Sequence, residues 1–355
     1  MSSALLVLAA QGAQAEPDDR LTLQLVEAVH QTDEMALVYD EIMARHAQSL
    51  DVMVTLNEIP APPFGERDRA LRLVEYFKAL KLDDVSLDDV GNVLARRRGI
   101  SGSRTVAVIA HVDTVFPSDT NVKVKRDGSV FYAPGIGDNA RGLALMVDIA
   151  AAIQQAEIQT DADVVFIGSV GEEGLGDLKG ARALFTDDGP GIDAAIIIDG
   201  GNINHIVTSA VGSNRYRITF RGEGGHSYGS FGLAHPHQAL ASAIQRFTDA
   251  ARSITQTPGA KATFSVGRIG GGTSINSIPF ESWMEVDMRS VDPDRLALLD
   301  EALHLAVGQA VEEENARALD ESVVTVDVQS VGRRPAGSMA GDLPLVQRAI
   351  DALAS

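Results

Sequence analysis

The sequence contains no cysteine. That absence removes disulfides, thiolate metal sites and a cysteine nucleophile together, while leaving the cellular compartment open. Aromatic residues make up only 5% of the chain, and glycine is plentiful at 33 residues, a balance that fits an α/β protein better than a coiled coil or a disordered chain. Basic side chains are outnumbered, 30 against 49 acidic ones, giving a net charge of -19. Such a surface argues against nucleic acid or an anionic membrane as a partner. Solubility is reason enough for the charge, and a carboxylate cluster that binds cations would add to it. Long apolar runs are also missing. Residues 4–10 are too short to cross a bilayer, and no other stretch qualifies. Ala13-Gln14-Ala15 follows as a small-x-small cleavage pattern, so the N-terminus resembles the back half of a secretory signal without its basic start. The expectation is an exported or periplasmic protein. The alternative is a cytoplasmic one whose first residues form an ordinary helix.

What is present is enough to bury a sizeable core. The chain has 355 residues, 45% of them hydrophobic, which suggests roughly two domains. A helical pattern runs from about 33 to 56 and is broken by the proline-rich EIPAPPFGE. A second helix is predicted over 67–80 and a long amphipathic one over 139–156. RTVAVIA (104–110), DVVFIGSV (163–170) and AAIII (194–198) read as buried strands, so the sheet they form must be covered on both faces. After residue 210 the texture changes. NRYRITFRGEG alternates polar and apolar residues, and the following order, β-α-β-β-α, is that of a ferredoxin-like insertion. VVTVDVQS (323–330) either completes that insertion or returns the chain to the first domain. The expected organisation is a leader and N-terminal helix over 1–30, a catalytic metal-binding domain over 31–210, an inserted lid over 211–321, and an incomplete return over 322–355.

The charged residues fall in a telling place. The strand 104–110 ends at His111 and Asp113, the turn before the long helix carries Asp138, the strand 163–170 ends at Glu172 and Glu173, and the strand 194–198 ends at Asp199. All lie at the carboxyl ends of buried strands or in loops beside them, the edge where open α/β sheets bind ligands. Singly, each has an ordinary explanation: Asp138, for example, would serve as a helix N-cap. Together, one imidazole and five carboxylates would repel each other unless cations neutralise them. Imidazole and carboxylate donors without thiolates suit zinc, cobalt or manganese, and His111 argues against calcium. Asp113 is placed to accept the second ring N–H of His111, and Asp138 could bridge two metals. Adjacent Glu172 and Glu173 cannot point the same way, so one would bind metal while the other takes a proton from the attacking water.

The ordered set HVDTV, GIGDNARG, GEEGLGDLKGAR, IIIDG, GEGGHSYG, GGTSINSIP and VDMRS resembles the two-zinc exopeptidases of the peptidase T, glutamate carboxypeptidase and acetylornithine deacetylase type, over residues 58–349. The resemblance implies a mixed, mostly parallel sheet covered by helices, with an inserted ferredoxin-like α+β lid that also dimerises the protein. It implies two divalent metal ions, with His111 and Asp199 on one, Glu173 on the other and Asp138 between them. Glu172 would be the general base and Asp113 the partner of His111. His226 would reach into the other subunit of a homodimer to stabilise the tetrahedral oxyanion, and Asn276 and Arg289 would bind substrate. On the residues alone, His226 would be a turn residue and Arg289 a member of a strand-edge salt bridge.

One departure matters. The family's final metal-ligating histidine has no counterpart, since the last histidine here is His304, so the chain is expected to be C-terminally truncated and short of one ligand. Three functions follow as expectations. The first is an exopeptidase of di- or tripeptides. The second is an N-acyl amino acid deacylase of the deacetylase or desuccinylase type. The third is an inactive dimerising relic.

Overall fold

The computed structural model describes residues 9–10, 28–200 and 205–354. The signal-like N-terminal pattern falls outside them, apart from residues 9 and 10. The chain divides into two compact units, residues 1–208 with 339–355, and residues 209–338.

In the first unit the apolar runs form the middle of a sheet. β4 (Thr105–His111), β7 (Asp163–Ser169) and β8 (Ala194–Ile197) lie side by side and parallel. β3 (Val93–Arg97) and β2 (Asp83–Leu87) extend the sheet antiparallel beyond β7, and β1 (Ala9–Ala10) lies antiparallel beyond β8. Successive side chains of a strand point to opposite faces. Val108, Ala110 and Phe166 accordingly join a core with Leu56, Leu73 and Phe77, while Ala107, Ile109, Val165 and Ile167 join a smaller one with Leu184.

The helices supply the cover. They are α1 (Asp33–Ala44), α2 (His46–Asn57), α3 (Arg67–Ala79) and α4 (Arg141–Gln155), with a shorter α5 (Lys179–Leu184) after β7 and α8 (Pro344–Ala354) near the end. The single helix expected over 33–56 is two. The chain turns at Arg45, whose buried guanidinium faces Asp148 of α4 at 3.6 Å. The sequence reading placed no strand between 80 and 104, because DDVSL and VLARR lack an apolar run. Even so, Val93 and Ala95 alternate inward and are fully buried. A small hairpin, β5 (Lys125–Asp127) and β6 (Val130–Tyr132), precedes α4.

The second unit is an antiparallel sheet carrying two helices. β10 (Gly212–Arg221), α6 (Pro236–Gln256), β12 (Ala262–Gly271), β14 (Glu281–Ser290), α7 (Pro293–Arg317) and β15 (Thr325–Arg334) follow one another, and the strands are ordered β12-β14-β10-β15. That is a β-α-β-β-α-β ferredoxin-like arrangement. β15 pairs with β10 along its length, so the segment 323–330 completes this unit, which runs to Ser338 and not to 321. A short ladder of β9 (Ser209–Ala210) and β16 (Gly337–Ser338) joins the points where the chain enters and leaves it. Phe220 and Met284 of the sheet and Phe247, Leu299 and Leu303 of the helices are wholly buried in one core. On β14 the lone tryptophan, Trp283, lies 4.0 Å from the Arg217 guanidinium and 5.4 Å from that of Arg268, and both arginines pair with Glu285.

Among the described residues no helix is long and apolar enough to cross a membrane. Phe166 is fully buried in the middle of β7 and meets the Phe77 ring at 6.0 Å. Phe166→Ala should therefore lower the unfolding free energy by about 3–5 kcal/mol, measured by denaturant titration.

Candidate metal centre

The three parallel strands end together, and the residues after each end carry the charge. His111 closes β4, Glu172 and Glu173 follow β7, and Asp199 follows β8. Asp138 lies in the turn Ile136–Ala140 ahead of α4. The N-cap of that helix is Ala140, with no side-chain cap, so Asp138 is not the capping residue that its position alone would suggest. The turn is fixed from behind. Asn139 is buried and donates from Nδ2 to the Ile198 carbonyl at 2.8 Å, and a Cβ at position 142 would come within 2.0 Å of its Oδ1, so Gly142 leaves the space that side chain fills.

At the centre is the imidazole of His111, 4% exposed. Its Nε2 lies 2.9 Å from Asp138 Oδ1 and 3.4 Å from Asp199 Oδ1, and its Nδ1 faces Asp113 Oδ1 at 3.6 Å. His111, Asp138 and Asp199 bring one ligand atom each to within 4.8 Å of one another, and so do His111, Glu172 and Glu173. The four expected metal ligands, the expected base Glu172 and Asp113 are thus gathered at one sheet edge. The Asp113 facing is as expected, but 3.6 Å is beyond a hydrogen bond.

Asp113 has a second contact that sequence reasoning missed. Fully buried, it accepts from the backbone amides of Glu172 at 3.0 Å (Oδ1) and Glu173 at 2.8 Å (Oδ2). The two preceding amides are held the same way. Gly171 N donates to Glu66 Oε1 and Val170 N to Asn92 Oδ1, each at 3.0 Å. Gly171 itself is left-handed, φ +62, a conformation glycine adopts without steric cost. Arg69, wholly buried, grips the neighbouring strand end, donating to the carbonyls of Val112 at 2.9 Å and Ile59 at 2.6 Å. Burial pulls its pKa down to about 10 despite the opposing charge of Asp113. No spacing rule marks Glu66, Asn92 or Arg69, because the bonds by which they hold this edge go to backbone atoms of other segments.

The electrostatics show what the cluster needs. Burial, then the carboxylates of Glu172 and Asp138, push Glu173 up to about 7. Burial alone would pull His111 down, but the facing Asp113, Asp138 and Asp199 outweigh it and hold the imidazolium well above the usual histidine range. Asp113 is lowered, because His111 and the two loop amides outweigh the effect of burial. Without another cation, both groups hold their protons more tightly than they would in water. Divalent ions fit this donor set better, since one imidazole and four carboxylates converge with no thiolate among them. Beside Asp138 and Glu173 a cleft of about 510 Å³ opens, lined also by Val115, Phe116 and Ala133.

The remaining predicted residues lie in the second unit. His226 and Asn276 are brought together by a two-residue ladder of β11 (Gly225–His226) and β13 (Ser277–Ile278), and both are exposed. His226 Nδ1 accepts from the amides of Tyr228 and Gly229, both at 3.3 Å, so the neutral ring carries its proton on Nε2. Asn276 Oδ1 accepts from the Ser274 hydroxyl at 2.6 Å. Arg289 donates from Nε to Asp287 Oδ2 at 2.8 Å, and Asp287 also takes Arg215 at 2.9 Å. The ion pair matches the alternative to substrate binding for Arg289, except that β14 is an inner strand and not an edge.

Both raised groups, Glu173 and His111, favour their protonated forms in the folded protein. The stability tied to them is therefore present at low pH and lost as pH rises through their folded pKa values, while Asp113, being lowered, stays ionised throughout that range. Chelator-treated protein should melt lower at pH 8 than at pH 5.5. Added zinc should reverse that order, because metal selects the deprotonated donors. Thermal melts with and without metal check both signs.

The profile of Peptidase family M20/M25/M40 matches residues 107–355. An uncharacterised protein of Bacillus subtilis, YqjE, is 24% identical over 293 residues, covering 78% of this chain and 75% of that protein. A candidate LysW-lysine/LysW-ornithine hydrolase of Pyrococcus abyssi is 29% identical over 174 residues, 48% of this chain and 45% of its own. A tripeptidase of Staphylococcus aureus shares the fold with a TM-score of 0.65 at 22% identity, over 82% of this chain and 77% of that one. Family M20 enzymes are divalent-metal-dependent hydrolases of peptide and acyl-amino acid bonds, and His111, Asp138 and Asp199 form a possible metal-binding group of that kind. The chain is a metallopeptidase or amidohydrolase and belongs to peptidase family M20/M25/M40.

Proposed function

We propose that the chain is an exopeptidase that hydrolyses di- or tripeptides with two divalent ions, zinc first and cobalt or manganese as substitutes. The observation that carries this reading is the convergence of His111, Asp138, Asp199, Glu172 and Glu173 around one buried imidazole. When bound, the ions supply Lewis acidity that polarises the scissile carbonyl and makes water nucleophilic near neutral pH. His111 and Asp199 would hold one ion and Glu173 the other, with Asp138 contributing a carboxylate oxygen to each. Glu172 is the general base: it takes a proton from the attacking water and delivers it to the leaving amine. Asp113 keeps His111 oriented while fixing the backbone from which both glutamates project.

The second unit serves as lid and dimerisation unit. Its His226 donates from Nε2 to the developing oxyanion in the other subunit of a homodimer, a role supported by the two amides that occupy Nδ1. Asn276 and Arg289 bind the substrate. With Nε engaged by Asp287, the two terminal nitrogens of Arg289 remain for a carboxylate.

A second reading, hydrolysis of N-acyl amino acids, is favoured by the name of the Pyrococcus relative, and the tripeptidase name of the Staphylococcus protein favours the first. Assaying the metal-loaded protein on di- and tripeptides against N-acetyl and N-succinyl amino acids separates them. Two metal equivalents per chain are expected. One or none, with no turnover of either panel, would establish an inactive relic. Glu172→Gln should keep its metal, measured by elemental analysis, and lose about 10²–10⁴-fold in kcat. Near-native turnover in that variant would remove Glu172 from the role of base.

A further inference from the structure

Glu66 occupies an odd position. It is the N-cap residue of α3, yet its side chain makes no capping bond to its own helix. It is instead 7% exposed and turned onto the loop after β7, where Oε1 accepts from Gly171 N at 3.0 Å. A glutamate at a helix start is ordinarily a solvated favourable charge. Burying it to take a single amide 105 residues away needs a different reason.

The neighbouring bonds supply one. Val170 N goes to Asn92, Gly171 N to Glu66, and the amides of Glu172 and Glu173 both go to Asp113. Four successive amides are thus held by three buried side chains from three separate segments. Glu66 fixes the one peptide that precedes the pair, at the left-handed residue where the chain reverses. If that bond were lost, the carbonyls of Val170 and Gly171 would still be held by the amides of Gly180 at 2.8 Å and Lys179 at 3.2 Å, but the Gly171 amide would be left without its acceptor and the peptide would loosen on that side. Glu172 and Glu173 would then be held less firmly in their direction toward His111.

We propose that Glu66 is a positioning residue that sets the directions of the Glu172 and Glu173 side chains by holding the Gly171 amide. The proposal rests on the catalytic reading of that pair, and its test separates the two. Glu66→Met fills the same space and removes only the acceptor. It should exchange the amide hydrogens of residues 170–173 faster than wild type, read by mass spectrometry on metal-free protein, and lose about 10–100-fold in kcat, with KM within twofold. Glu66→Gln keeps an acceptor in place, and both readouts should stay within about threefold of wild type. Should the Met variant not fold, Glu66→Asp withdraws the acceptor by one methylene and is read in the same way.

A Met or Asp variant with unchanged loop exchange or wild-type kcat overturns the proposal. So does a Gln variant that falls as far as Met, because the hydrogen bond would then not be what matters. Wild-type protein that cleaves nothing in either panel, with loop exchange still governed by Glu66, upholds the positioning and overturns the catalytic reading instead.

Discussion

The structure is organised around one unfavourable arrangement: a buried imidazole facing three aspartates, with two more carboxylates alongside. Like charges gathered at low solvent exposure cost free energy unless something positive stands among them. The rest of the first unit is built to hold the groups there anyway. Parallel strands deliver His111, the Glu pair and Asp199 to the same edge, since parallel neighbours end on the same side. Alternating side chains then bury Phe166, Val108 and Ala110 on one face and Ile109, Val165 and Ile167 on the other. The core is therefore what makes the edge rigid enough to keep repelling groups in place.

Asp113 is the point where two demands meet. One carboxylate faces the ring of His111 and also receives two consecutive amides from another strand's loop. The orientation of the imidazole and that of the Glu pair are thereby coupled through a single side chain, and substitutions at these positions should not behave additively. Arg69 and Glu66, three residues apart on the first turn of α3, extend the coupling. One holds the strand end at Val112 and the other the loop at Gly171.

Much of this could be read from the residues themselves. Strands β4, β7 and β8 announce themselves as unbroken Val/Ile/Ala runs, and the polar residues that close them stand out because such runs have no other use for charge. The second unit's strands were legible by alternation. What escaped has a common cause. Glu66, Asn92 and Arg69 lie among charged and loop-forming residues, in FGERDRA and DDVGN, where local chemistry predicts solvent. Only the fold shows that these positions are buried. Strands β2 and β3 were hidden for a related reason, DDVSL opening on two aspartates and VLARR closing on two arginines. The break at Arg45 and the assignment of β15 likewise depend on partners, Asp148 and β10, that no window of sequence contains.

Trp283 carries a practical consequence. It is the protein's one tryptophan, and it sits between two guanidinium groups in the second unit, while the metal-site carboxylates belong to the first. Indole fluorescence is therefore a spectroscopic label confined to one half of the molecule. Its emission follows the melting of the ferredoxin-like unit. The melting of that unit can therefore be followed by itself, with no engineered probe.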